Sequence, residues 1–167
     1  MRKVIIVFVI FMGFMDNIMA QNPDYLFMIE NACKAPSGHN TQPWLFKIRE
    51  SEIDIYPDLS KELPVVDPSH RELFVSLGCA TENLCIAAQE KGYQTEVKVI
   101  KDSFIRVLLT KDKKKQFDSS LFSQIAVRQT NRSVYDGKEI PKDSINLLKA
   151  TSNDPSISIY FYKRGNC

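Results

Sequence analysis

The chain has 167 residues, 44% of them hydrophobic, with 22 Lys and Arg against 20 Asp and Glu for a formal net charge of +2. That length suits one ordinary domain with a real core, and the near-balance of charge gives no reason to propose nucleic acid or another general polyanion as partner. At the amino end, Arg2 and Lys3 precede an apolar run from Val4 to Met15 and a short polar stretch ending at Ala20. This pattern reads as a secretory signal peptide over residues 1–20, with export, in a bacterial-type cell to the periplasm. The apolar run is short of the roughly 20 residues that a bilayer span requires, so no stable membrane anchor is expected. Ile18 stands where a small residue is preferred for cleavage after Ala20, and no nearby cysteine offers a lipid attachment point.

A helix is expected from Asp24 to Lys34, with Leu26, Ile29 and Cys33 at helical spacing, Tyr25 and Ala32 alongside, and Asp24 as N-cap. Trp44 to Arg49 and Ile53 to Tyr56 alternate across the polar turn Glu50-Ser51-Glu52, as a β-hairpin does. Residues Pro57 to Pro68 read as irregular. A long helix follows from Ser69 to Lys91, its stripe of Leu73, Leu77, Leu84 and Ala88 widened by Phe74, Gly78 and Cys85. Thr95 to Ile100 and Phe104 to Leu109 add two strands in antiparallel order. Lys111 to Gln116 is a charged connector, read as solvated rather than as a basic docking patch. Beyond it come a short helix near Leu121 to Val127, a helix from Pro141 to Thr151 and a strand at Ile157 to Tyr162. The fold class expected is α+β, a mixed or antiparallel sheet with helices packed on its faces.

Cysteines carry little chemistry here. Cys33, Cys79, Cys85 and Cys167 follow the leader, an even number that proves nothing by itself. Cys79 and Cys85 lie six residues apart on one expected helix, about 9 Å at 1.5 Å per residue, beyond the roughly 7 Å that a disulfide spans. Both are therefore read as packed free thiols, while Cys33 and Cys167 stay undetermined. No Cys/His spacing marks a metal site.

The most informative stretch is Ala35-Pro-Ser-Gly-His-Asn-Thr-Gln-Pro-Trp44, a polar turn between an apolar helix and an apolar strand. Pro36 and Pro43 stiffen its ends, Gly38 permits backbone conformations closed to other residues, and Ser37, Asn40 and Gln42 supply hydrogen-bonding groups. Such a frame suits a ligand cradle; the plain alternative is a capped surface turn. A second stretch, Ile125 to Asp136, carries Arg128, Thr130 and Arg132 two residues apart. Extended backbone would project all three to one side, where forked guanidinium donors suit a phosphate dianion. Its alternative is a solvated basic loop held by Asp136 or Glu139.

Together these two stretches resemble the FMN-binding segments of nitroreductase-like oxidoreductases, whose loop usually runs Pro-Ser-x-x-Asn-x-Gln-Pro-Trp. The resemblance implies that Pro36, Ser37 and Asn40 line the flavin and that Arg128, Thr130 and Arg132 contact its phosphate, with Asn131 and Tyr135 secondary. It further implies a nicotinamide donor, NAD(P)H, and a small electron acceptor such as a nitroaromatic or quinone. The order of elements is similar to the double-length, Acg-like branch of that family. On that reading residues 21–110 form a first nitroreductase-like half, 111–118 the connector and 119–167 the start of a second half. The chain is then truncated, and a second copy or a partner chain is needed to complete the fold. A non-enzymatic flavin-binding or sequestering protein and an inactive remnant are the other readings, and no catalytic residue is assigned.

Other residues are read as structural. Gln42 ties the loop to its scaffold, and Trp44 is a core side chain. His39 stabilises the loop, lacking the carboxylate or cysteine neighbours of a base or metal ligand. His70 lies in a helix-start cluster where Asp67 or Ser69 caps and Glu72 suits the dipole.

Overall fold

The computed structural model describes residues 22–101, 103–112, 120–134, 136–151 and 155–161. The expected leader, most of the connector, Tyr135 and Cys167 lie outside them. The chain divides into two units, one running to Thr130 and one from Asn131, each described by itself.

In the first unit α1 spans Pro23–Ala32, and Gly38–Asn40 forms a single 3-10 turn. The hairpin strands are β1 (Trp44–Ile48) and β2 (Glu52–Pro57), followed by a second 3-10 turn at Leu59–Lys61. Helix α2 spans Arg71–Glu90, strands β3 and β4 span Tyr93–Ile100 and Phe104–Lys111, and α3 is Phe122–Val127. The four strands form one antiparallel sheet in the order β1-β2-β4-β3. Both hairpins are local; the non-local step sets β2 beside β4, with Ile53 opposite Val107 and Ile55 opposite Ile105. The expected α+β class is thus the observed one.

One sheet face carries the core. Ile53, Ile55 and Val107 meet Leu77 and Leu84 of α2 with no exposed surface, and the fully buried Ala80, Ala87 and Ala88 let neighbouring backbones come close. Burying each large aliphatic side chain contributes about 1.5–3 kcal/mol. Trp44 lies in this core, as expected. Helix α1 docks by Tyr25, Met28 and Ala32, with Ile29 and Cys33 partly buried against the core, and of the expected stripe turns only Leu26 away, 41% exposed. Its rotation is set at the ends of Tyr25, whose hydroxyl donates to the Glu50 carbonyl at 3.0 Å and whose ring meets Tyr93 edge-on.

Two further expectations are corrected. The N-cap of α1 is Asn22, whose side chain accepts from the Asp24 amide at 3.0 Å. Asp24 instead binds Lys111 Nζ at 2.9 Å and accepts from the Tyr93 hydroxyl at 3.0 Å, tying the helix to the far end of the sheet. In the second unit, α4 spans Lys142–Lys149, but residues 157–161 form no strand, no ladder partner for them lying among the described residues; Tyr162 of the expected strand lies outside those residues. Among the described residues no helix is long and apolar enough to cross a membrane.

Candidate functional site

The loop after α1 is built from its own backbone. Ser37 Oγ accepts from the Gln42 amide at 3.0 Å, the Asn40 and Thr41 amides donate to the carbonyls of Ser37 and Gly38, and Gln42 Nε2 donates to the Cys33 carbonyl at 3.3 Å. Gln42 therefore anchors the loop to the end of α1, as expected. The loop's base is pinned from outside by Ser76 of α2, whose hydroxyl accepts from the Gly38 amide at 3.1 Å and donates to the Glu72 carbonyl at 2.7 Å. Sequence reasoning did not find Ser76; a small polar residue inside the apolar stripe of α2 was the available signal.

Left-handed backbone falls on His39 (φ 50°), Asn40 (φ 57°) and Gln42 (φ 52°), not on Gly38, which corrects the role first given to the glycine. Gly38 instead lies close to α2: a Cβ there would sit 3.0 Å from the Glu72 carboxylate, which would have to shift by a few tenths of an ångström. Non-glycine residues in the left-handed region cost about 1 kcal/mol or more each, and such strain concentrates where a site must be held in one shape. The His39 and Asn40 side chains are exposed and make no hydrogen bond among the described residues. The loop-stabilising role expected of His39 has no side-chain contact behind it among the described residues, and the Asn40 side chain is likewise unengaged there.

Helix α3 brings the second motif to the first. Ile125 is buried and the Phe122 ring packs 5.4 Å from that of Phe27, which seats α3 against α1. Arg128 follows at the end of α3, where its amide donates to the Gln124 carbonyl. Its guanidinium reaches the Lys34 carbonyl at 3.4 Å and Thr130 Oγ1 at 3.5 Å. Residues 94 positions apart in sequence thus meet where α1 gives way to the loop. Both contacts are long, and Arg128 has no acidic partner among the described residues, so most of its five donors stay available to an anion. Asp136 is engaged instead by Lys138, at 2.8 Å. Arg132 is exposed and belongs to the second unit, as does Asn131, whose side chain accepts from the Ser133 amide.

Beneath the loop a cavity of about 10 Å³ is lined by Gly38, Thr41, Pro43, Leu63, Asp67 and Glu72, among others. It has room for about one water and none for a ring system. Asp67 caps α2 by accepting from the Leu73 amide at 2.9 Å; burial works against its charge, but that amide and those of Glu72 and Arg71 hold its carboxyl below the usual range. His70 lies 2.8 Å from Glu62. Cys33, Cys79 and Cys85 are free thiols. Among the described residues no group of His, Cys, Asp and Glu is placed to hold a metal ion.

No family model matches the chain. It is similar to two Mycobacterium tuberculosis proteins named "Putative NAD(P)H nitroreductase", Rv3131 and its counterpart MT3217 in a second strain. Each is 31% identical over 124 residues, covering 71% of this chain and 36% of the relative. A third protein of that organism, the "Putative NAD(P)H nitroreductase acg", is 29% identical over 69 residues, or 41% of this chain and 21% of its own length. The match spans about a third of the length of the first two of these relatives.

Proposed function

We propose that this chain is the FMN-binding portion of a nitroreductase-type oxidoreductase of the double-length branch. It would be exported and would work with a nicotinamide donor on a small electron-poor acceptor. The observation that carries the reading is the approach of Arg128 to the Lys34 carbonyl. It brings a guanidinium with no acidic partner among the described residues to the mouth of a strained, preorganised loop. The names of the relatives support the same chemistry, and the residues fit the coenzyme's two ends. Arg128 and Thr130 would hold the anionic phosphate by charge-assisted hydrogen bonds, and the resemblance adds Arg132 to that role. Pro36, Ser37 and Asn40 would line the ring, Asn40 offering its amide to polar edges and the loop keeping water from one face.

FMN, when bound, supplies two-electron hydride chemistry. The chain's own residues orient it, hold its charge and leave one face open to donor and acceptor. Positive or N–H groups beside the ring edge would complete the site. The resemblance puts those groups in later segments, so the first half (21–110), connector (111–118) and opening of a second half (119–167) form one part of a larger arrangement. A second copy or a partner chain would supply the rest.

The test is a fluorescence titration of the purified protein with FMN. The expected result is saturable quenching and a yellow product, with Arg128→Ala weakening binding roughly tenfold or more, the scale of one lost charge-assisted hydrogen bond. Nitroaromatic turnover driven by NAD(P)H would then make it an enzyme as it stands, and colour without turnover a flavin-binding protein. A sample that stays colourless in added FMN would overturn the proposal.

A further inference from the structure

Strand β3 is an outer strand of the sheet, and its paired face is complete. Its register with β4 runs unbroken from Tyr93 opposite Lys111 to Ile100 opposite Phe104. Its other edge pairs with no strand among the described residues. Helix α2 covers only the start of the strand: Tyr93 is buried, whereas Val97 is 46%, Val99 73% and Ile100 40% exposed. Residues 94–100 contain neither proline nor glycine, and the continuous register shows no bulge. The usual devices that keep an edge from pairing are therefore missing, apart from charge.

The charges complement themselves. Glu96 and Lys98 project from the face opposite Val97 and Val99, and within one chain their side chains meet at 3.2 Å, both at least half exposed. When two copies of an antiparallel edge pair about a two-fold axis normal to the sheet, like faces stay together. Each register places one residue on the axis, and those that set Glu96 and Lys98 against themselves or each other are centred on residue 96, 97 or 98. With Glu96 on the axis, glutamate opposes glutamate; with Lys98 there, lysine opposes lysine. With Val97 on the axis, Glu96 of each copy lies opposite Lys98 of the other, Thr95 lies opposite Val99, and valine meets valine on the core side. Directly opposed charges of unlike sign stabilise a ladder and like charges destabilise it, by up to about 1 kcal/mol a pair.

We propose that two copies of this chain pair through β3 in antiparallel, Val97-centred register, joining their sheets into one of eight strands. The two Glu96–Lys98 pairs select the register, and the exposed valines form one covered strip. This interface is independent of the flavin reading, since β3 contributes nothing to the loop or to Arg128.

Sedimentation velocity of the full chain across a concentration series tests it, with circular dichroism confirming that each variant folds. A reversible dimer is expected. Glu96→Lys sets like charges in opposition at both pairs and should weaken it about tenfold or more, and the double variant E96K/K98E should restore it. Val99→Lys, which places a charge in the apolar strip, should also favour the monomer. A chain that stays monomeric throughout would overturn the proposal. So would a dimer indifferent to these substitutions, which would place the contact elsewhere.

Discussion

Ser76 shows how one hydroxyl can govern a loop it does not belong to. It joins the Gly38 amide to the Glu72 carbonyl, linking the 3-10 turn to the first turns of α2. Ser76→Ala should lower the urea-unfolding free energy by about 1 kcal/mol, the usual worth of such a bond. It should also speed hydrogen exchange at the Gly38 amide; unchanged exchange would show that the loop holds itself. Gly38 was legible as special, but for another reason than chain geometry provides. Its φ lies outside the left-handed region and a Cβ there would press on the Glu72 carboxylate, whereas the left-handed positions fall on His39, Asn40 and Gln42. No periodicity of residue types marks such positions, since they follow from the path between two fixed ends.

Strand β2 carries a residue that its pattern disguises. In Ile53-Asp54-Ile55 the alternation assigns Asp54 to water, yet it has no exposed surface. Its carboxylate accepts from Arg106 Nε at 2.7 Å and Nη2 at 2.9 Å, from Arg49 Nε at 3.0 Å and from the Tyr56 hydroxyl at 3.4 Å. Hydrogen bonds from Arg106, then Arg49, outweigh burial and hold the carboxyl below its usual range. Because the folded state depresses this pKa, the stabilisation is present above the ordinary carboxylate value, about 4, and is lost as pH falls through the folded one. Unfolding free energy should therefore drop between about pH 5 and pH 2, and Asp54→Asn should flatten that fall while costing about 2 kcal/mol at neutral pH. Equal pH slopes for the two proteins would remove Asp54 as the cause. The sequence could not reveal the cage, because Arg106 enters through the β2–β4 pairing.

Across the molecule, Cys85 reports whether the first unit opens as a whole. It lies buried where α2 meets β3, and burial pushes its thiol up to about 11 despite a hydrogen bond with Thr95. Thiolate is the reactive form, so native Cys85 should resist iodoacetamide at pH 8 while the half-buried Cys33 and Cys79 label first. Peptide mapping should show Cys85 modified only at the urea concentration where the far-ultraviolet signal is lost. Early labelling would mean that α2 leaves the sheet separately. Cooperative behaviour is expected because α2 packs against both α1 and the sheet, so its release would expose most of the core.

Hydrophobic periodicity was enough to specify both hairpins, the long central helix and the α+β class, because alternation and the 3.6-residue stripe are local signals of burial. The loop from Ala35 to Trp44 was legible for a related reason: prolines and hydrogen-bonding residues in one short run declare a shaped turn. What only tertiary structure decided are the long-range meetings: Arg128 at the end of α1, Ser76 under Gly38, Arg106 around Asp54, and β3 left at an edge. Each depends on which strands and helices become neighbours, and that choice is made by the core collectively rather than by any residue's own preference. Residues 157–161 form no strand for the same reason, since a strand exists only where another segment completes its hydrogen bonds and none among the described residues does so.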